Sequence, residues 1–151
     1  MALTFRDCFR RLHEHFFWSL GKRPKIGDSS ANGRYGEWLG SKFLKSNGFV
    51  IKSTNWRSPK DRRLEIDLIC IKEGVLTFVE IKARSELALV SGFHSIDIRK
   101  RKALLRAFRS YLSNAKPSYA NYRFDVIEID LPVDRSTEPR IFHHENVAIF
   151  H

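Results

Sequence analysis

Apolar positions in this chain fall into stretches of helical period and stretches of strand character, and their order predicts the architecture. Over residues 4–20, Phe5, Phe9, Leu12, Phe16, Phe17 and Leu20 recur near helical spacing, while Arg6, Arg10, Arg11, His13 and Glu14 mostly fill the positions between. That is the pattern of an amphipathic helix. GKRPKIGDSSANG follows, with three glycines and a proline, and reads as a linker. Tyr35, Leu39 and Phe43 form the stripe of a second helix over 34–46, and Asn47-Gly48 supplies a left-handed cap at its end. FVIKSTNW is a β-rich run, SPKDRR a charged connection, and LEIDLICI and VLTFVEIKA are two strands joined at KEG. A loop is expected over 84–95. A third helix over 97–115 buries Leu104, Leu105, Phe108, Tyr111, Leu112 and Ala115 and leaves Arg99, Lys102, Arg106 and Arg109 outside. RFDVIEIDL is a further strand, and a short hairpin over 141–150 is expected to close the sheet. The predicted fold class is α/β, a mixed central sheet flanked by helices with an αβββαβ core. Residues 1–30 read as a basic helical extension with its linker, and 31–151 as the main domain.

Composition narrows the classes. The 151 residues are 42% hydrophobic and 29% charged, the balance of an ordinary globular chain, not a disordered or collagen-like one. Apolar runs are short, so no transmembrane segment is expected, and charges break up any signal-peptide core near the N-terminus. Cys8 and Cys70 stand far apart without a CxxC partner, and read as reduced thiols of a cytoplasmic protein. Lys and Arg number 27 against 17 Asp and Glu, a net charge of +10. Such an excess attracts phosphate backbones. It equally suits a basic protein that is merely soluble, or one that touches anionic membranes.

The chemistry concentrates in one hairpin. A two-residue turn at Glu73-Gly74 pairs Lys72 with Val75, and the register carries inward to Ile71 with Leu76, Ile69 with Phe78, Asp67 with Glu80 and Glu65 with Lys82. Alternation then places Glu65, Asp67, Glu80 and Lys82 on one face. Both faces of the hairpin carry apolar residues, so it is expected to be central and buried. Opposed carboxylates in such a pair repel, and buried charge without compensation is costly. A divalent cation held by oxygen ligands compensates best. The alternative is a solvated patch at the sheet's end, with a Glu65–Lys82 cross-strand salt bridge. His143-His144, and His13 with His15, lack zinc spacing and read as structural or exposed. Trp18, Trp38 and Trp56 are expected to pack in the core, with base stacking as the alternative.

Asp67 followed by Glu80-Ile81-Lys82 on the next strand resembles the D…(D/E)xK signature of the restriction-endonuclease-like, or PD-(D/E)XK, nuclease superfamily. The wider set is more specific: Gly36-Glu37, Asn55-Trp56-Arg57, Glu65 to Ile69, Phe78 to Arg84, Lys100 and Arg123 to Val126 occur in order. Together these residues, within a span of about 34–150, resemble the YraN, or UPF0102, family of endonuclease-like proteins. The family usually has Gly before its Glu-Ile-Asp triplet. Leu64 stands there in this chain, after a lengthened 58–63 loop, so the entry turn must differ locally. The 1–30 extension has no counterpart in the resemblance.

The resemblance implies a restriction-endonuclease-like domain and a Mg²⁺ or Mn²⁺ site with Asp67, Glu80 and the Ile81 carbonyl as ligands. It implies Lys82 as the residue that orients or helps deprotonate the attacking water, and Glu37 as a contributor from the first helix of the main domain. Gly36 and Gly40 let that helix approach the sheet. Without the resemblance, Glu37 reads as an acidic charge favouring the helix dipole. Glu65 is either the partner that holds Lys82 or an additional carboxylate. Arg57, Arg84, Lys100 and Arg123 are candidates for nucleic-acid phosphate contact, or else ordinary surface charges and ion pairs. The function implied is metal-dependent endonucleolytic hydrolysis of phosphodiester bonds in DNA, with branched or structured DNA as substrate. The rival is a non-catalytic nucleic-acid-binding protein that retains the fold. A third reading makes the 4–20 helix a homodimer or membrane-surface contact.

Overall fold

A computed structural model describes residues 5–25, 27–85, 97–115 and 119–149, with side chains described from Phe9 onward. The elements run α1 (Phe5–Ser19), α2 (Ser29–Ser46), β1 (Val50–Arg57), β2 (Glu65–Lys72), β3 (Val75–Ser85), α3 (Ile98–Leu112), β4 (Tyr122–Leu131) and β5 (Arg140–His144). The five strands form one sheet in sequential order. Only β3 and β4 are parallel; the other neighbours are antiparallel. A mixed sheet flanked by helices is what the sequence predicts for a restriction-endonuclease-like domain. Among the described residues no helix is long and apolar enough to cross a membrane.

The sheet is apolar on both faces, which explains the near-continuous hydrophobic runs of β2 to β4. On one face Phe108 of α3 stacks on Phe78 at 4.3 Å, over Ile69, Leu76, Leu104, Phe124 and Val126. On the other, Leu44 of α2 packs with Leu68, Val79, Ile81, Ile127 and Ile129. Cys70 is buried there, where burial first and then the Asp125 charge push its thiol up to about 12.

Several boundaries differ from the sequence pattern, each for a local reason. Helix α2 begins at Ser29 because the Asp28 side chain accepts the Ala31 N–H at 2.9 Å, so the last five residues of the expected linker are helical. At its other end Gly48 takes φ +83°, and Phe49 N–H and Gly48 N–H close on the Leu44 and Lys45 carbonyls, as a Schellman cap requires. Arg84 and Ser85 belong to β3, not to a loop, because β4 pairs with them as far as Ser85↔Leu131. The rest of the expected loop, 86–95, lies outside the described residues. The predicted 141–150 hairpin is a single strand, β5, against β4. Leu64 avoids a left-handed backbone: the 58–64 loop closes through Ser58 N–H to the Leu64 carbonyl, and its side chain is buried in the α3-side core.

Helix α1 is anchored to α2. The rings of Trp18 and Tyr35 lie 5.3 Å apart and those of Trp18 and Trp38 5.8 Å, while Arg34 makes a two-bond pair with Glu14. Helix α2 presents two glycines directly to β3 side chains. A Cβ added at Gly36 would stand 2.3 Å from the Ala83 Cβ, and one at Gly40 would stand 2.8 Å from the Ile81 Cδ1. Gly36→Ala is therefore expected to destabilise the chain by about 1–3 kcal/mol, read as a lower urea midpoint. Helix propensity alone predicts the opposite sign, a gain of up to about 1 kcal/mol, so a raised midpoint would contradict the close contact.

Candidate active site

The register of β2 and β3 holds from Lys72↔Val75 to Leu68↔Val79 and then stops. The turn that sets it has Glu73 at φ +51° and Gly74 at +78°, the two left-handed residues of a type I′ hairpin. Beyond Leu68 the strands part. Ile66 and Glu65 continue to pair with Trp56 and Arg57 of β1, while Glu80 onward pairs with β4. Asp67 sits in the fork, where its Oδ2 accepts the Ile81 N–H at 2.8 Å in place of a backbone carbonyl. A strand residue directs its N–H and C=O to the same neighbour. The Ile81 carbonyl is thus turned toward the fork as well.

Glu80 occupies the α3 side of the fork, with its side chain 2% exposed. Its Oε1 takes two ammonium groups, Lys82 Nζ at 2.9 Å and Lys100 Nζ at 2.9 Å. Lys100 is delivered by the start of α3, where the Asp97 side chain caps the helix by accepting the Lys100 N–H at 2.7 Å. Burial lowers the Lys100 pKa, but the adjacent Glu80 outweighs it and holds the amine above its ordinary range. Glu80 Oε2 is buried and has no hydrogen-bond partner. A buried carboxylate oxygen left in this state costs free energy unless a cation or donor meets it. Burial first, and then the Glu80 charge, push the Asp67 carboxyl up to about 7, and the Glu37 charge adds to the rise. A buried carboxylate with one orphaned oxygen, a half-buried carboxylate and a carbonyl turned to the same gap make an all-oxygen donor set that suits a divalent cation.

Glu37 approaches from mid-α2, so a charge at a helix N-terminus does not describe it. Its Oε2 accepts a hydrogen bond of 2.9 Å from Asn55 Nδ2. Asn55 interrupts the β1–β2 ladder between Thr54↔Leu68 and Trp56↔Ile66, and takes φ +52°. Sequence reasoning quoted Asn55 in the motif but gave it no role. Its signal is an Asn, a residue type that after glycine tolerates a left-handed backbone best, inside a β-rich run.

Other expected contacts are redistributed. The Glu65–Lys82 pair does not form, because β2 and β3 have already diverged; Glu65 pairs with Arg57 across the β1–β2 ladder, and Lys82 turns to Glu80. Arg57 also donates to the Arg62 carbonyl at 3.1 Å. Arg84 is held by Glu128 at 2.7 Å and Asp130 at 3.0 Å, two buried carboxylates of β4. Arg123 is held by Asp125 at 2.9 Å and Glu145 at 3.2 Å.

That last pair belongs to a second cluster, on the opposite face of the sheet from Glu80. Asp125, His143 and Glu145 offer ligand atoms within 4.8 Å of one another, and so form a group that could hold a metal ion. Sequence reasoning set His143 aside as structural or exposed. Here its Nε2 lies 2.8 Å from Asp125 Oδ2, and Asn146 N–H donates to Asp125 Oδ1 at 2.9 Å. With the Arg123 guanidinium in place, the buried Asp125 charge is already compensated from within.

The raised Asp67 pKa has a stability consequence. Folding takes up a proton at Asp67 between the ordinary value of 3.8 and about 7, so ionised Asp67 opposes folding above that window and not below it. In EDTA-treated protein, Asp67→Asn is expected to raise stability by about 2–4 kcal/mol near pH 8 and to change it little below about pH 4. Urea unfolding at both pH values measures this; a gain of equal size at both would contradict burial as the cause.

The fork residues lie within the region shared with known proteins. The family model described as "Uncharacterised protein family UPF0102" matches residues 36–129. A UPF0102 protein of Chloroherpeton thalassium is 36% identical over 101 residues, covering 67% of this chain and 76% of the relative. One from Porphyromonas gingivalis is 34% identical over 124 residues, covering 80% and 86%. One from Acetivibrio thermocellus is 37% identical over 109 residues, covering 70% and 82%. The match is narrower than the 34–150 span read from motifs, but it holds Glu37, Asp67, Glu80, Lys82 and Lys100 together, and by it the chain belongs to the uncharacterised family UPF0102.

Proposed function

We propose that the chain is a metal-dependent endonuclease acting on DNA, with the fork between β2 and β3 as its active site. The observation that carries this reading is Glu80: a fully enclosed carboxylate with one oxygen shared by two lysines and the other without a partner, beside a second carboxylate. A purely structural ion pair has no use for that second oxygen, and a core built for stability would not place Asp67 next to it. The net charge of +10 suits a polyanionic substrate.

Asp67, Glu80 and the Ile81 carbonyl would hold Mg²⁺ or Mn²⁺, and the chemistry supplied there is polarisation of a phosphoryl oxygen and a lowered pKa for a water. Lys82 reaches the fork from the same strand face as Glu80, so its ammonium group offsets charge developing on the phosphate and positions the attacking water. Lys100 fixes the Glu80 rotamer through the shared Oε1. Glu37, fixed by Asn55, faces Asp67 from the α2 side and is placed to accept a hydrogen bond from that water. In this reading Glu65, Arg57, Arg84 and Arg123 serve the fold: their charges are spent on one another and on β4. Branched or otherwise structured DNA is the substrate proposed first, because among the described residues no base-reading element stands out.

The test is cleavage of single-stranded, duplex, nicked and four-way-junction DNA with Mg²⁺ or Mn²⁺. Cleavage is expected with either ion, none with EDTA, and a loss of at least about 100-fold in Asp67→Ala and Lys82→Ala. Salt-sensitive DNA binding with no cleavage of any substrate would leave the rival reading, a binding protein that keeps the fold.

A further inference from the structure

The cations expected to meet phosphate are engaged inside the protein, which raises the question of where free positive charge approaches the fork. A cleft of about 230 Å³ lies between α1, α2 and the edge strand β1. Glu37 and Asn55 line one part of it, and Leu68, the residue after Asp67, lies at its base. It is therefore continuous with the α2 side of the proposed active site. Arg11 enters from α1 and Lys45 from α2, and neither has an acidic partner among the described residues. Of the other charged residues in the lining, Arg34 is bound by Glu14, and Glu37 accepts the Asn55 amide, so the two cations Arg11 and Lys45 outnumber the one carboxylate without a cationic partner, Glu37.

His15 and the Trp38 indole form a wall of the same cleft, their rings 6.4 Å apart, with Thr54 from β1 opposite. The surroundings of His15 report the local field. Burial first, and then the Arg11 charge, hold its imidazole below its ordinary range, with Lys45 adding to the fall and Glu14 and Glu37 opposing it. Two free cations, hydroxyl and imidazole groups and an aromatic wall are the elements that bind a nucleic-acid backbone without reading sequence. The volume is below that of pockets enclosing a drug-sized ligand, and admits part of one strand rather than a duplex.

We propose that this cleft seats a backbone phosphate of an unpaired DNA strand, with Arg11 and Lys45 as its contacts, and so leads a single-stranded segment of the substrate to the fork. The assignment rests on the nuclease reading for its choice of DNA, but it concerns binding. It gives α1 a role in holding substrate, one that lies outside the 36–129 region shared with the family.

The test compares the full chain, Arg11→Gln/Lys45→Gln and the charge-keeping Arg11→Lys/Lys45→Arg. Fluorescein-labelled single-stranded DNA and a blunt duplex of the same sequence are titrated by anisotropy across a salt series, after unfolding midpoints confirm that the variants fold. The glutamine variant is expected to lose roughly tenfold in single-strand affinity at low salt, with its log–log salt slope shallower by about 0.7, the contribution of one phosphate. The charge-keeping variant is expected to retain the full slope, and duplex binding to change less. Equal slopes for the full chain and the glutamine variant would overturn the proposal, as would no measurable single-strand binding by the full chain or an equal fall in the duplex slope. Cleavage is scored separately. Loss of slope in a chain that never cleaves keeps the seat and removes the nuclease; metal-dependent cleavage with an unchanged slope does the reverse.

Discussion

A buried carboxylate, Glu80, and a half-buried one, Asp67, lie within reach of each other's charge, and much of the surrounding structure serves to make that tolerable. Glu80 lies on the central strand, covered by α3 on one side and by the sheet on the other. Two ammonium groups share one of its oxygens, and the Ile81 N–H satisfies one oxygen of Asp67. The compensation is still incomplete, because one Glu80 oxygen has no partner and the Asp67 carboxyl is pushed up to about 7. Proteins keep such arrangements at functional sites, where stability is given up for a preformed polar centre.

The divergence of β2 from β3 is what creates the room. While the ladder runs, backbone groups satisfy one another; once it stops at Leu68↔Val79, the N–H and C=O of Ile81 need other partners. Asp67 takes the first, and strand geometry turns the second toward the same gap. The helices then bring their contributions from opposite faces. Gly36 and Gly40 let α2 lie against Ala83 and Ile81, which sets the depth at which Glu37 stands. The Asp97 cap starts α3 where Lys100 reaches Glu80.

Much of this was legible in the sequence, because it follows from period and register. The Glu73-Gly74 turn and strand alternation fixed which residues face each other as far as Leu68↔Val79. The glycine spacing of α2 pointed to a close helix–sheet approach. What alternation does not encode is where a ladder ends, so the Glu65–Lys82 pair was expected and Arg57–Glu65 and Lys82–Glu80 were found. Nor does sequence show which buried acid meets which arginine. Arg84 and Arg123 look like surface cations until β4 places Glu128, Asp130 and Asp125 beside them. Helix α2 began early for a similar reason: a single capping side chain, Asp28, outweighed a glycine-rich composition that reads as a linker.

The proposed function requires a divalent cation to bind at the fork and not at the Asp125–His143–Glu145 cluster. Calorimetric titration of Mn²⁺ into the full chain, Glu80→Gln and His143→Ala decides between them. The account predicts saturable Mn²⁺ binding by the full chain that is lost in Glu80→Gln and kept in His143→Ala. Binding that survives Glu80→Gln and disappears with His143→Ala would contradict it.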